Sequence, residues 1–255
     1  MKLLILFQKK FKFIFIQILP PFILRIIRSF HFYIFKGGST GYNYLDLKLI
    51  KEIKPKQKGF FVELGANNGV FQSNTYKLQN EFNWTGILIE PNQKRFIECV
   101  KNRSFKNKPK VFCNACVSFE YKDKFVEIEY ADLMSIAKNL NVDEKEIEIH
   151  IKKGTKFLEH SECKHSFGAI AKTLTDILNA SLAPINFDLL SLDVEGNELA
   201  VLKGLDFNKY RPKWILVETR NNKVKEYLEK NNYDQKNVLS KYPNYSDVLF
   251  KLSDL

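Results

Sequence analysis

Four cysteines in 255 residues, Cys99, Cys113, Cys116 and Cys163, form no secreted-type framework, and no credible signal peptide precedes them. That excludes a small scaffold stapled by disulfides and points to a reducing compartment. Long apolar runs are missing too. The charge-free stretch Phe13 to Leu24 has 12 residues, short of the ~20 that cross a bilayer as a helix. Histidine is scarce. Only His150, His160 and His165 cluster, within 16 residues that also hold Cys163. A zinc site joining them to Cys113 and Cys116 is set aside, because those cysteines are three apart on a predicted strand and face opposite ways. No metal is assigned.

Acids are absent before Asp46. Lys2, Lys9, Lys10, Lys12, Arg25, Arg28 and Lys36 supply seven of the net charge of +11, leaving +4 on the remaining 219 residues. A basic arm on a near-balanced body argues against an extended nucleic-acid face. Read as a helix up to Leu19, residues Lys2, Lys9, Lys10 and Lys12 fall on one side and Leu and Ile on the other. Pro20-Pro21 breaks it, and Phe22 to Phe35 begins a second amphipathic piece. Such a segment suits peripheral membrane contact through residues 1–35, at the inner face of the cell membrane. A helix packed on the domain's own core is the alternative. Residues 1–36 are thus an arm, Gly37-Gly38-Ser39-Thr40-Gly41 a flexible joint, and 37–255 one domain. With 45% hydrophobic residues, that domain has ample material for a core.

What is present is organised around Gly59-Phe60-Phe61-Val62-Glu63-Leu64-Gly65-Ala66-Asn67-Asn68-Gly69. The aromatic and β-branched run predicts a buried strand ending at Glu63. Gly65 and Gly69 allow a sharp turn and a close approach to a ligand. Val70 to Leu78 is expected to open a helix whose first N–H groups face that ligand. The spacing is not G-x-G-x-x-G, so a dinucleotide is disfavoured. It suits a ligand with an amine, a carboxylate and a ribose but no phosphate, as in S-adenosylmethionine. A second strand, Gly86 to Glu90, ends in an acid 21 positions after Gly69, where a ribose diol is gripped.

Further along, Tyr44 to Ile53 has helical spacing, and Asn92 starts a helix to about Lys101. Lys110 to Ser118 reads as one strand, whose end would place Asn114 and Cys116 beside an adenine. Residues 119–168 read as a lid or acceptor insertion, with charge-rich helical text at Asp143 to Lys153. A helix over 172–180 leads to the apolar strand Phe187 to Asp193, and Trp214 to Val217 is a fifth strand ending at Glu218. Lys223 to Asn231 is another helix, and Tyr233 to Leu252 holds a last strand or antiparallel pair. Alternating strands and helices predict an α/β, doubly wound, mostly parallel sheet with its ligand at the carboxyl edge.

Val62-Glu63-Leu64-Gly65-Ala66-Asn67-Asn68-Gly69, Ser73-Asn74-Thr75-Tyr76, Ile89-Glu90-Pro91 and Leu192-Asp193-Val194-Glu195-Gly196-Asn197-Glu198 resemble the FkbM-type methyltransferases. The resemblance runs in order from about Tyr44 to Val248. It implies a Rossmann-like class I methyltransferase using S-adenosylmethionine, mostly for O-methylation. The cofactor residues it implies, with the strand-end reading, are Glu63, Gly65, Ala66, Asn67, Gly69, Asn74, Glu90, Pro91, Asn114 and Cys116. Asp193 is expected as the base, with Glu195 assisting and Glu218 lining the acceptor pocket. The family often carries a Gln-Asp pair where this chain has Tyr42-Asn43-Tyr44-Leu45-Asp46. The implied acceptor is a hydroxyl of a sugar in a surface glycan or glycolipid precursor, handled by a bacterial, cytoplasmic enzyme. An RNA or small-molecule methyltransferase, or a non-catalytic nucleotide-binding interaction protein, are the rival readings. The Asn/Asp-Pro-Pro-Tyr-like motif usual in the RNA enzymes is missing.

Overall fold

The computed structural model describes residues 38–131, 135–137 and 165–253. The basic arm, the charge-rich text at 143–153, His150, His160 and Cys163 lie outside the described residues. Among the described residues no helix is long and apolar enough to cross a membrane.

The first strand, β1 (Phe60–Leu64), runs parallel to β2 (Thr85–Ile89) on one side and β8 (Leu189–Leu192) on the other. Parallel pairing continues from β2 to β3 (Lys110–Phe112) and from β8 to β9 (Trp214–Thr219). Antiparallel β11 (Ser246–Leu252) then pairs with β9, and β10 (Tyr233–Lys241) closes the edge. The order across the seven strands is β10-β11-β9-β8-β1-β2-β3. Central strands read as unbroken apolar runs because both faces are covered. On one face Val62, Leu64, Ile87, Leu190 and Leu192 pack against α4 (Leu174–Ser181), α5 (Glu198–Leu202) and α6 (Asn222–Lys230). On the other, Phe61, Leu88 and Leu189 meet α1 (Leu45–Ile53), α2 (Tyr76–Phe82) and α3 (Gln93–Asn102). Each fully buried leucine in these layers stabilises the fold by ~1.5–3 kcal/mol. The doubly wound sheet is therefore as its sequence implies.

Helix starts follow local chemistry. The Asn92 side chain accepts from Arg95 N at 3.0 Å, Thr173 from Asp176 N at 3.1 Å and Asn221 from Lys223 N at 3.0 Å. Each satisfies one of the free N–H groups of a first turn.

Three expectations are corrected. The helix expected over 70–78 begins only at Tyr76, because Asn68 Oδ1 captures Val70 N and Phe71 N at 3.0 and 2.9 Å and holds the chain in a turn. The strand expected over 110–118 is two strands in two sheets. It breaks at Cys113-Asn114, and β4 (Ala115–Val117) leaves to pair with β7 (His165–Thr173). With β5 (Phe125–Tyr130) and β6 (Ile136–Ala137) these form a second sheet ordered β4-β7-β5-β6, packed on Val117, Val126, Ile128 and Ala169. Finally, the expected joint is pinned where described. Ser39 and Thr40 are 1% and 3% exposed, Thr40 N donates to Asp46 Oδ2 at 2.8 Å, and Thr40 Oγ1 donates to the Ser73 carbonyl at 2.9 Å.

Candidate active site

A cleft opens at the carboxyl ends of β1, β2, β8 and the start of β4, and the small sheet supplies its far wall through Ile128, Tyr130 and Phe167. Gly65 forms the turn out of β1 with φ +75°, and a Cβ there would stand 1.9 Å from the Asp193 carbonyl oxygen. Only glycine lets the β1 and β8 loops come that close. Gly65 N and Ala66 N both donate to the Ile89 carbonyl, at 3.1 and 3.2 Å, which ties the turn to β2.

Glu90 is the hub of the β2 side. Its Oε2 accepts from Asn67 N at 2.8 Å and its Oε1 from Asn92 N at 2.9 Å. Each oxygen keeps acceptor capacity for a further donor. Burial pushes this carboxyl up to about 7, against the Asn92 and Asn67 N–H groups and the Arg95 charge that favour ionisation.

Asp193, Val194, Glu195 and Asn197 line the β8 side. Glu198 Oε1 accepts from Val194 N and Gly196 N, both at 3.1 Å, so this carboxylate shapes the loop. Glu195 has φ +56°, and its Oε2 lies 3.0 Å from Arg220 Nη2. The same Nη2 is 3.1 Å from Glu218 Oε1, and Arg220 Nε is 3.2 Å from it. Burial, then the charges of Asp193, Glu195 and Glu198, push Glu218 up to about 10, with Arg220 opposing. Asp193 is also held well above the usual range, by surrounding protein first and then by Glu195, Glu198 and Asp247. Its surface nevertheless opens to the cleft, where water tempers the effect. Neighbouring carboxylates this crowded cannot all ionise. Of the two, Glu218 is buried and bonded to Arg220, whereas Asp193 opens to the cleft, where a substrate proton can reach it.

Not every expected residue faces that cleft. Gly65, Asn67, Glu90, Pro91, Asn114, Cys116, Asp193 and Glu195 line it. Glu63 does not. It is 3% exposed and accepts from Ser73 Oγ at 2.9 Å, Asn74 N at 2.8 Å and Thr75 Oγ1 at 2.6 Å. Buried Arg103 lies 4.0 Å away. Glu63 therefore fastens the loop under the site. Asn74 belongs to the same fastening, its Nδ2 donating to Ser191 Oγ at 3.3 Å. Ala66 is 1% exposed and packs into the core behind the turn. Gly69 (φ +80°) makes room for α3, since a Cβ would meet Cys99 Sγ at 2.9 Å and Arg103 Cγ at 2.8 Å. Glu218, expected on the acceptor wall, does not line the cleft and is held by Arg220 beside Asp193. His165, from the discarded zinc reading, tilts against Tyr130 and Phe167 at 4.9 and 6.1 Å between ring centroids. Among the described residues no cluster suited to a metal ion is found.

Arg220 was not foreseen. Its signal was there in Glu218-Thr219-Arg220, because a cation two residues beyond a strand-end acid is within reach of it. Asn197 carries a different sign. It is 3% exposed, yet among the described residues neither its Oδ1 nor its Nδ2 has a partner, and the same is true of Asn67 Oδ1. Buried polar atoms left unpaired beside a cleft are the mark of a missing ligand. Carboxylate acceptor, free amide groups and a glycine-backed turn fit the hydroxyls and amine of S-adenosylmethionine.

The FkbM methyltransferase domain family matches residues 63–239. The chain belongs to that family, and S-adenosylmethionine is its cofactor. Among solved structures, it is similar to the FkbM methyltransferase of Methylobacillus flagellatus at 12% identity, over 76% of this chain and 43% of that one, with a TM-score of 0.44. The M. capricolum TrmK structure with S-adenosyl-homocysteine is 11% identical over 85% and 72%, TM-score 0.44. The precorrin-6y methyltransferase of Geobacter metallireducens is 10% identical over 84% and 90%, TM-score 0.46. No curated protein sequence matches the chain.

Proposed function

We propose that this methyltransferase is an O-methyltransferase acting on a sugar hydroxyl of a surface glycan or glycolipid precursor. The observation that carries this reading is the meeting of two carboxylates on one cleft: Glu90 on the β2 side and Asp193 on the β8 side, with Gly65 between them. S-adenosylmethionine, when bound, supplies an electrophilic methyl group. Glu90 accepts from the ribose hydroxyls, Asn67 and Asn197 offer their unpaired amide groups, and Asn114, Cys116 and Pro91 flank the base.

An alcohol is a poor nucleophile until its proton leaves, and a positioned base removes it. Asp193 holds that place. Arg220 contributes by bridging Glu195 and Glu218, which fixes both carboxyl groups and offsets part of the negative charge beside Asp193. Substrate and base then need only be held in line. The basic, apolar residues 1–35 suit attachment at the inner membrane face, where a lipid-linked sugar is presented.

Calorimetric titration of the full-length chain with S-adenosylhomocysteine and with NAD is the direct test. Micromolar binding of the first, its loss in Glu90→Ala and no binding of NAD are expected. Asp193→Asn should keep thioether affinity while methyl transfer to isolated surface polysaccharide falls at least ~100-fold. Transfer that is unchanged in Asp193→Asn, or that ends on nitrogen, overturns the proposal.

A further inference from the structure

The cleft leaves a group of tyrosine rings unexplained. Tyr242 and Tyr245 flank the turn between β10 and β11 and stack with centroids 4.4 Å apart and planes at 26°. Tyr42 tilts against Tyr242 at 5.8 Å, and Asn43 Nδ2 donates to the Tyr242 hydroxyl at 3.0 Å. Tyr42 and Tyr44 are 48% and 55% exposed. Tyr242 and Tyr245 are half-buried, so the group is a partly open, mutually ordered aromatic surface rather than a core. The backbone is bent to present them: Asn43 and Tyr44 have φ of +46° and +63°, a region that a bulky side chain enters only at a cost and that is frequent at ligand clamps.

Register fixes where these rings stand. Asp247 pairs with Glu218 and Ser246 with Thr219, so Tyr245 comes next, beside the end of β9 that carries Arg220. The Tyr245 hydroxyl is pushed up by burial and then by Glu218, Tyr242, Asp247 and Tyr42, which agrees with that placement. From β2 to β11, the carboxyl edge therefore runs Glu90, Gly65, Asp193, Glu218, Tyr245. The rings continue the site on the side of the base that faces away from Glu90.

We propose that Tyr42, Tyr242 and Tyr245 form an aromatic platform that stacks the pyranose ring of the acceptor and brings its hydroxyl to Asp193. This rests on the methyl-transfer reading above. A pyranose has an apolar face of C–H groups, which an aromatic face attracts through its negative quadrupole. Its rim of hydroxyls donates well to carboxylates, and exposed Asp193 and half-buried Glu195 stand on this side of the cleft. A nucleobase would stack as well, but the same carboxylates repel a phosphate backbone. Arg220, bonded to Glu195 and Glu218, is already engaged.

Saturation-transfer NMR on the full-length chain tests this, with methyl α-glucopyranoside, methyl α-galactopyranoside, methyl α-mannopyranoside and N-acetylglucosamine as probes and AMP as the stacking control. Each is measured with and without S-adenosylhomocysteine. Transfer to the ring C–H protons of at least one sugar is expected. The loss should be about 5-fold in Tyr245→Ala and in the exposed variant Tyr42→Ala, with Tyr245→Phe near wild type. No transfer to any sugar, transfer that survives both alanines, or AMP exceeding every sugar overturns the platform. Calorimetry with S-adenosylhomocysteine separates the two readings. Thioether binding without sugar transfer sinks the platform alone, whereas sugar transfer without thioether binding sinks the methyl-transfer reading and leaves the platform.

Discussion

Replacing Arg103 with methionine keeps an unbranched stem but removes the guanidinium, and its charge, from a fully buried position. In the native protein Arg103 Nε donates to Gln79 Oε1 at 2.6 Å, Nη1 to the Gly69 carbonyl at 2.8 Å and to Ser73 Oγ at 3.1 Å, and Nη2 to Thr75 Oγ1 at 3.0 Å. The guanidinium also lies 5.3 Å from the Phe61 ring centroid and 5.6 Å from that of Tyr76. Three of those acceptors belong to the loop that Glu63 fastens, so the substitution leaves a buried carboxylate without its countercharge and several carbonyl and hydroxyl oxygens short of a donor. Breaking a buried pair from one side costs about 3–5 kcal/mol. At 2–4 °C per kcal/mol for a domain of this size, Tm should fall by roughly 6–20 °C. Urea unfolding followed by far-ultraviolet dichroism checks the free energy, and the loop beneath the cleft predicts weaker S-adenosylhomocysteine binding in the same variant. Adding Glu63→Gln removes the unpaired charge and should return about 0.5–3 kcal/mol. A cost for Arg103→Met below ~1 kcal/mol, or no recovery in the double variant, would refute the fastening argument.

Two further perturbations test the cleft. Gly65→Ala places a Cβ 1.9 Å from the Asp193 carbonyl at φ +75°. The left-handed backbone alone costs ~1–2 kcal/mol, and the β8 loop must also move. Stability and methyl transfer should both fall, and a variant with wild-type Tm and activity would contradict the close approach of the two loops. For Glu90, the sign follows from a folded value of about 7 against 4.5 in the unfolded chain. Between those values the native state holds the extra proton, so stability falls as pH rises from about 4.5 to 7, by up to ~3 kcal/mol, and is level above. Thioether binding runs the other way, because an ionised Glu90 accepts from both ribose hydroxyls. Affinity should improve by up to about tenfold per pH unit below 7 and flatten above it. Titration calorimetry from pH 5.5 to 8.5 reads this, and Glu90→Gln should abolish the slope.

The sheet was legible because its signals are local. Apolar runs such as Phe60-Phe61-Val62 and Leu189-Leu190 announce strands that are covered on both faces, and the strand-end acids mark the carboxyl edge. Which acid faces a ligand was not legible, and Glu63 shows why. A carboxylate at the end of a buried strand reads the same whether it grips a cofactor or a neighbouring loop. What decides is Arg103, 40 residues later, whose place under the turn depends on α3 packing against Gly69. Glu90, by contrast, accepts from two backbone N–H groups among the described residues and keeps acceptor capacity toward the cleft. Glu218 repeats the lesson: its partner was two residues away and readable, but its burial depends on β11, whose Asp247 pairs opposite it. The helix expected over 70–78 failed for a smaller reason, a single Asn68 side chain competing for the N–H groups that a helix start would leave open. Strand-end acids thus locate the edge where chemistry happens. The cation or N–H that each one finds after folding decides which of them takes part, and for Asp193 that is the Arg220 clamp on its neighbours.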